Sequence, residues 1–189
     1  MRIRRHIGGF WRAEGGVTAV EFAFVAPALL LLLMGIVEFS LIMLTYGVME
    51  SATTVSARLG STGFTTSGIS REQTILNAID ARAGTLIDTS KLTITSKFYG
   101  AFDQINDPEP FIDSNHNGQY DAGEAYTDVN GNGKWDSDMG TAGYGQGGDI
   151  VVYTVSYPWA IQTPIMSELI GTNGIFTITT HAVTKNEPF

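Results

Sequence analysis

The fold of this chain depends on the stretch Gly15-Gly16-Val17-Thr18-Ala19-Val20-Glu21-Phe22 and on the uncharged run from Phe22 to Val37. At about 1.5 Å per residue, this run covers roughly 24 Å of a hydrocarbon layer about 30 Å thick, and Leu41 to Leu44 extend it past Glu38. Its length and its lack of charge predict a membrane-spanning helix, which we place at residues 17–58. Glu38 then lies near the far membrane interface.

The residues before this helix form a short basic leader, residues 1–16, that ends in a pair of glycines. The carboxylate of Glu21, at the edge of the membrane segment, costs several kcal/mol unless it is paired or functional. If a peptidase cuts after Gly16, Val17 becomes the N-terminus and its ammonium group is the nearest partner for Glu21. The alternatives are an ordinary signal anchor and a secretory signal cut near Val55-Ser56-Ala57, although the apolar run is longer than a secretory signal requires.

The distribution of charge predicts the topology and narrows the range of partners. The formal net charge is −8, with arginines in the leader and most acidic residues after the helix. We therefore expect a single-pass protein of the inner membrane, with its N-terminus in the cytoplasm and its C-terminal domain periplasmic or extracellular. An acidic exported domain disfavours nucleic acid as a partner and favours cations. The sequence contains no cysteine, so disulfides do not brace this domain.

Residues 61–189 have the pattern of a small α+β domain. Ser70, followed three residues later by Gln73, is typical of a helix N-cap. Apolar residues follow at helical spacing, namely Ile75, Leu76, Ile79, Ala83 and Leu86. Alternating polar and apolar residues predict strands at Leu92–Tyr99, Asp149–Trp159 and Gly174–Lys185, with a short helical turn at Pro164–Ile170.

The predicted fold class is α+β. A long N-terminal transmembrane helix precedes a small domain in which an amphipathic helix lies on a three- or four-stranded antiparallel sheet. A helix-poor acidic insertion, residues 103–148, separates the first strand from the second.

This insertion contains two loops with the spacing of an EF-hand calcium loop. In the first, oxygen-bearing side chains occupy positions one, three, five, nine and twelve, and glycine occupies position six. The ligands that this spacing predicts are Asp113, Asn115, Asn117, the backbone carbonyl of Gln119, Asp121 and Glu124. In the second loop they are Asp128, Asn130, Asn132, the carbonyl of Lys134, Asp136 and, because position twelve is Met139, Asp138 as a substitute acid.

Ca²⁺ is the cofactor that this pattern favours, because it binds six to eight oxygen ligands. No helix pattern flanks either loop, so the tandem resembles the calcium repeats of bacterial extracellular proteins more than a sensor EF-hand pair. As an alternative, Asn117-Gly118, Asn130-Gly131 and Asn132-Gly133 are hairpin-turn dipeptides, and an acidic loop of this kind can simply be solvated. Turn chemistry explains each Asn-Gly pair but not the recurring spacing of acids around it.

Two parts of the sequence resemble a known family. Gly16, Glu21 and Phe22 with the apolar helix behind them are similar to a type IV prepilin cleavage site. The run from Ala19 through Pro27 to Phe39, together with the chain end at residues 182–189, is similar to TadE-like proteins of the tight-adherence pilus system.

This resemblance implies a membrane-inserted pseudopilin or minor pilin that helps to assemble an adhesive Tad/Flp-type pilus. A prepilin peptidase would cut between Gly16 and Val17, and Glu21 and Phe22 would act in assembly. The implied partners are the lipid bilayer, that peptidase and other pilus-assembly subunits.

Other site chemistries find little support in the sequence. The three histidines, His6, His116 and His181, are scattered and do not form a zinc pattern. The glycine-rich run at residues 140–148 lacks the lysine of a phosphate loop and is interpreted as a linker. We therefore expect neither an enzyme nor a small-molecule substrate. The rival hypothesis is a membrane-anchored, calcium-dependent adhesive or sensing domain that never enters a filament.

Overall fold

The computed structural model describes residues 15–62, 68–84 and 87–188. The helices are α1 Gly15–Ser61, α2 Arg71–Ala83 and α3 Pro164–Leu169. The strands are β1 Thr93–Tyr99, β2 Thr141–Ala142, β3 Ile150–Ala160 and β4 Ile175–Lys185. A long apolar helix followed by a small domain with a four-stranded antiparallel sheet confirms the predicted α+β class.

Helix α1 contains 47 residues and includes Pro27. It ends at Ser61, three residues beyond the predicted end, where the Ser61 hydroxyl donates to the carbonyl of Arg58 at 2.9 Å. Apolar side chains along its first half are exposed, for example Phe24 at 81%. Among the described residues, α1 is the one helix long and apolar enough to cross a membrane.

The chain forms two compact units. The first contains α1 as far as Leu41 together with residues 160–176, and the second contains Ile42–Trp159 together with the residues from Thr177 onwards. The second unit therefore holds the end of α1, α2 and most of the sheet.

The sheet has the strand order β2-β1-β3-β4. Strand β1 pairs antiparallel with β3, with Ile94 opposite Val155 and Phe98 opposite Val151. Alternate β3 side chains, Val151, Tyr153, Val155, Tyr157 and Trp159, are buried, as the sequence pattern predicts for a strand with one face on the core. The predicted linker at residues 140–148 is partly wrong, because Thr141 and Ala142 form the edge strand β2 against Phe98 and Lys97.

The core of the second unit lies between this sheet and small residues of α1. Ala52, Thr53 and Ala57 are buried, and the Thr53 hydroxyl lies 2.8 Å from that of Thr180. Small side chains allow the helix and the strands to approach closely. Helix α2 contributes Ile75 and Ile79, both 1% exposed.

The N-cap of α2 forms as predicted. The Ser70 side chain accepts a hydrogen bond from the Gln73 amide at 3.1 Å. Leu86, predicted on the buried face of this helix, lies outside the described residues.

Candidate functional site

The first loop, Asp113–Glu124, is organised by side-chain oxygens that accept backbone amides. The two carboxylate oxygens of Asp113 accept from the amides of Asn117 at 3.2 Å and Gly118 at 2.8 Å. Gly118 has a φ of 76°, a conformation that favours glycine and lets the chain turn sharply at position six. The predicted ligands at positions one and five are therefore held on one turn.

Two amides converge on the carboxylate at position nine of this loop. The Nδ2 atoms of Asn115 and Asn117 donate to the same Asp121 oxygen at 2.6 and 2.8 Å. Gln119, at position seven, is held beside this group, because its amide donates to Asn117 Oδ1 at 2.7 Å. The structure thus brings positions one, three, five and nine into one hydrogen-bonded group.

Glu124 closes the first loop by bridging its two ends. One carboxylate oxygen accepts from the Ser114 amide, at position two, at 2.8 Å. The other accepts from the Asp121 amide, at position nine, at 3.0 Å. Both oxygens of the acid at position twelve are thereby held against the backbone of the loop.

The second loop, Asp128–Met139, repeats the same arrangement. Asp128 accepts from the amides of Asn132 at 3.2 Å and Gly133 at 2.8 Å. The Nδ2 atoms of Asn130 and Asn132 converge on one Asp136 oxygen at 2.7 and 2.5 Å. These two hydrogen bonds hold the pKa of the Asp136 carboxyl below its ordinary value. The Lys134 amide donates to Asn132 Oδ1 at 2.8 Å, as the Gln119 amide does in the first loop.

The carboxylate that closes the second loop belongs to Glu109, which the sequence reasoning missed. One oxygen accepts from the amides of Val129 at 2.7 Å and Asn130 at 3.3 Å, and the other accepts from the Asp136 amide at 3.1 Å. Val129 and Asp136 occupy positions two and nine, the positions that Glu124 bridges in the first loop. Glu109 is fully buried, with 0% of its surface exposed.

A repeat in the sequence explains why Glu109 closes the second loop, and it could have revealed this role. Residues 109–123 align with residues 124–138, and each repeat opens with a glutamate. Each glutamate donates its own amide to the carbonyl at position nine of the loop it closes: Glu124 to Asp121 at 3.1 Å, and Glu109 to Asp136 at 2.9 Å. Glu124 therefore closes the loop of the first repeat, and Glu109 closes that of the second.

The two repeats are joined by a short antiparallel bridge and by an aromatic cluster. Phe111 pairs with Tyr126, flanked by hydrogen bonds from the Ile112 amide to the carbonyl of Ala125 and from the Thr127 amide to that of Pro110, both 2.8 Å. The rings of Tyr120 and Trp135 stack with centroids 4.4 Å apart, and the ring of Phe111 meets both edge-on. The ring of Tyr126 meets that of Tyr120 edge-on, so each repeat supplies two aromatics to a small shared core, which holds the loops without flanking helices.

Asp138, predicted as the substitute acid of the second loop, is engaged at the sheet. Its carboxylate accepts from Lys97 Nζ at 2.6 Å and from the Tyr99 hydroxyl at 2.9 Å. Burial raises the pKa of the Asp138 carboxyl, but the hydrogen bonds from Lys97, the Gly140 amide and Tyr99 outweigh it and leave the pKa below its ordinary value. Burial first, and then the Asp138 carboxylate, raise the pKa of Tyr99 to about 12.

Carboxylates alone do not form a metal centre here. Within residues 15–62, 68–84 and 87–188, no group of three or more histidine, aspartate and glutamate side chains could hold an ion. An ion in either loop would therefore depend on asparagine and backbone carbonyl oxygens as well, which is the mixed oxygen set that Ca²⁺ accepts.

The residues predicted to act in processing and assembly lie in the first turns of α1. Gly16 and Val17 are helical. Glu21 is exposed, and Phe22 is exposed by 65%. Their roles stay predictions, because the ammonium group predicted to pair with Glu21 would arise only on cleavage.

Comparison with protein families identifies a match on the first helix. The family model described as TadE-like protein matches residues 16–58, which covers nearly all of α1 and stops before α2. No curated protein and no solved structure matches the chain. The chain end at residues 182–189, for which the sequence also predicts this resemblance, lies outside the matched segment. Over residues 16–58, less than a quarter of its length, the chain is similar to TadE-like proteins.

Proposed function

We propose that this chain is a structural pseudopilin or minor pilin that takes part in assembling a Tad/Flp-type pilus. The observation that carries the proposal is the family match over residues 16–58, because this segment contains the predicted cleavage residue Gly16 and the carboxylate of Glu21. The helix that follows exposes apolar side chains along its first half. Such a surface suits lipid before assembly and neighbouring helices after it.

In this proposal Glu21 acts on entry into the filament. A carboxylate at the edge of a membrane segment requires a partner. The ammonium group created by cleavage before Val17, on the same subunit or on a neighbour, provides one. The role is structural, and no catalysis is assigned to the chain.

Processing and assembly are tested separately with matched variants. Glu21→Ala should be cleaved normally by the prepilin peptidase but be lost from the sheared pilus fraction. Glu50→Ala, an exposed carboxylate on the same helix, should be cleaved and incorporated like the wild type. Normal incorporation of Glu21→Ala would remove its assembly role, and a leader retained in the presence of the peptidase would overturn the pilin assignment.

We further propose that each loop binds one calcium ion and that these ions brace the outer domain. The first ion would be bound by Asp113, Asn115, Asn117, the carbonyl of Gln119, Asp121 through water, and Glu124. The second would be bound by Asp128, Asn130, Asn132, the carbonyl of Lys134, Asp136 and Glu109, which takes the place that the spacing alone gave to Asp138. An all-oxygen set in which asparagine and backbone carbonyl oxygens supplement the carboxylates suits a hard divalent cation.

The hydrogen bonds in each loop support this assignment. In each loop two asparagine side chains converge on a single carboxylate oxygen, so a cation beside that carboxylate would lie close to both of them. A cation at this place would neutralise the carboxylates around it. Binding free energy gained only in the folded state adds directly to stability.

The second candidate function is a membrane-anchored, calcium-dependent adhesive or sensing domain outside any filament. It is favoured by the fact that the family match ends at residue 58, well before the loops. Both functions predict calcium binding, so calcium does not separate them. The peptidase test does, because the second function requires the leader to be retained.

A further inference from the structure

Residues 160–176, which run from the last residue of β3 into the start of β4, expose apolar side chains within the same compact unit as the first part of α1. Leu169 is exposed by 69% and Ile165 by 48%, and both lie on the short helix α3. Ile175, where β4 begins, is exposed by 44%. Glu168 is the single charged residue of the segment, so its surface is poorly suited to bulk water.

This segment is fixed to α1 by the carboxylate of Glu38. One carboxylate oxygen of Glu38 accepts from the Gln162 amide at 3.0 Å, the Thr163 amide at 3.1 Å and the Thr163 hydroxyl at 3.2 Å. Glu38 is 0% exposed. A carboxylate of a membrane helix is thus satisfied by donors of the segment, which removes much of the cost of placing it there.

Packing one turn earlier on α1 fixes the level of α3. Met166 is buried, and its sulfur lies 3.9 Å from the position that a Cβ would occupy on Gly35. The absent side chain at Gly35 lets α3 lie close to the helix. The buried side of α3 therefore faces α1, and Ile165 and Leu169 remain exposed.

The length of α1 sets the depth of this contact. From Thr18 to Glu38 the helix rises by about 30 Å, which equals the thickness of a bilayer hydrocarbon core. If α1 crosses the bilayer from Thr18, Gly35 and Glu38 reach the outer interface, and α3 lies at the same level. The exposed apolar surface of α3 is then continuous with the lipid-facing surface of α1.

We propose that residues 160–176 form a membrane-resting foot, in which Ile165 and Leu169 insert into the outer lipid layer beside α1. This inference rests on α1 spanning the bilayer, as in the proposed function. The partner is the lipid surface itself. Because Glu38 binds the foot to α1, the foot would stay at the level of the outer interface.

Spin-label depth measurements on the full chain in proteoliposomes of phosphatidylethanolamine and phosphatidylglycerol test this proposal. The sequence contains no cysteine, so Leu169→Cys, Leu30→Cys and Lys185→Cys each carry one nitroxide. We expect the ratio of oxygen to water-soluble nickel accessibility to be severalfold higher at Leu169 than at Lys185, which is exposed at the far end of β4. Ile165→Cys provides a second label on the foot.

The outcomes separate the foot from the anchor on which it rests. A lipid-like ratio at Leu30 with a water-like ratio at both Leu169 and Ile165 overturns the foot alone. A water-like ratio at Leu30 overturns the membrane-spanning helix itself. Low accessibility of Leu169 to both reagents, rising on dilution of the protein in lipid, would show that a second copy covers this surface and would also overturn the proposal.

Discussion

The first and second loops have nearly the same hydrogen bonds but obtain their closing carboxylate in different ways. Glu124 is the twelfth residue of the first loop and is only partly buried. Glu109 comes before both loops in the sequence and reaches the second loop only because the chain folds back, and it is fully buried. Equivalent geometry is thus reached once through local spacing and once through tertiary structure.

This difference indicates that the two loops are not independent modules. The Phe111–Tyr126 bridge brings the start of the first repeat beside the start of the second. Through this fold-back Glu109 reaches the amides of Val129 and Asp136. We therefore expect each glutamate to support the loop that it closes, and the loss without calcium to be larger at Glu109 because this carboxylate is fully buried.

The largest effect is expected from Glu109→Gln. The amide would place an N–H donor against backbone N–H donors in a buried site, which costs about 1–3 kcal/mol without calcium. The second loop should also lose its ion, so the rise in melting temperature with Ca²⁺ should be clearly reduced. Thermal unfolding of the full chain in detergent, with and without Ca²⁺, measures both effects. A variant that melts like the wild type under both conditions would contradict the role of Glu109.

Glu124→Gln should have a smaller effect on the calcium-free protein. Its hydrogen bonds to Ser114 and Asp121 are similar in length to those of Glu109, but the site is open to water, which can satisfy displaced groups. We expect a loss of about 0.5–1.5 kcal/mol without calcium. The rise in melting temperature with Ca²⁺ should fall as much in Glu124→Gln as in Glu109→Gln. If the two variants lose equal stability without calcium, the proposed contrast between the loops is wrong.

Asp138→Asn separates the two assignments for the second loop. If Glu109 closes this loop, the variant should keep its response to Ca²⁺. It should lose only the contact with Lys97 and Tyr99, which lowers the free energy of unfolding by about 0.5–1 kcal/mol because the Lys97–Asp138 pair is partly exposed. The same melting series measures it. Loss of the calcium response in Asp138→Asn, with Glu109→Gln unaffected, would restore Asp138 as the substitute acid.

The smallest effect concerns the titration of Tyr99. Its pKa of about 12 is raised by burial and then by Asp138, so Asp138→Asn should lower this pKa while leaving it above 10. Because the pKa is higher in the folded protein than in the unfolded chain, the stability linked to it is present below pH 10 and is lost as the pH rises towards 12. Ultraviolet titration of tyrosinate, with Tyr99→Phe to identify the signal, checks this shift. An unchanged pKa would show that Asp138 does not act on Tyr99.

The sequence predicts much of the fold because its patterns are local. Alternation over Val151, Tyr153 and Val155 gives β3 to within a residue, and the Ser70 cap gives the start of α2. Strand β2 was missed because two residues cannot show a period, and only pairing with Lys97 and Phe98 makes Thr141–Ala142 a strand.

In the candidate site, too, local patterns predict one part and tertiary structure determines the other. The first loop follows from residue spacing, since all its predicted ligands lie within twelve consecutive positions. The acid that closes the second loop does not follow from residue spacing. Spacing selects Asp138, because it is the acid nearest to position twelve. In the fold, however, Asp138 contacts Lys97 on β1. The repeat of residues 109–123 in 124–138 was the available signal, because it pairs Glu109 with Glu124.

The number of calcium ions bound per chain tests the central claim most directly. Calorimetric titration of the full-length protein in detergent with Ca²⁺ should give two ions for the wild type and one for either Glu109→Gln or Glu124→Gln. The double variant should bind none. No binding by the wild type, or two ions bound by Glu109→Gln, would contradict the reciprocal closure of the two loops.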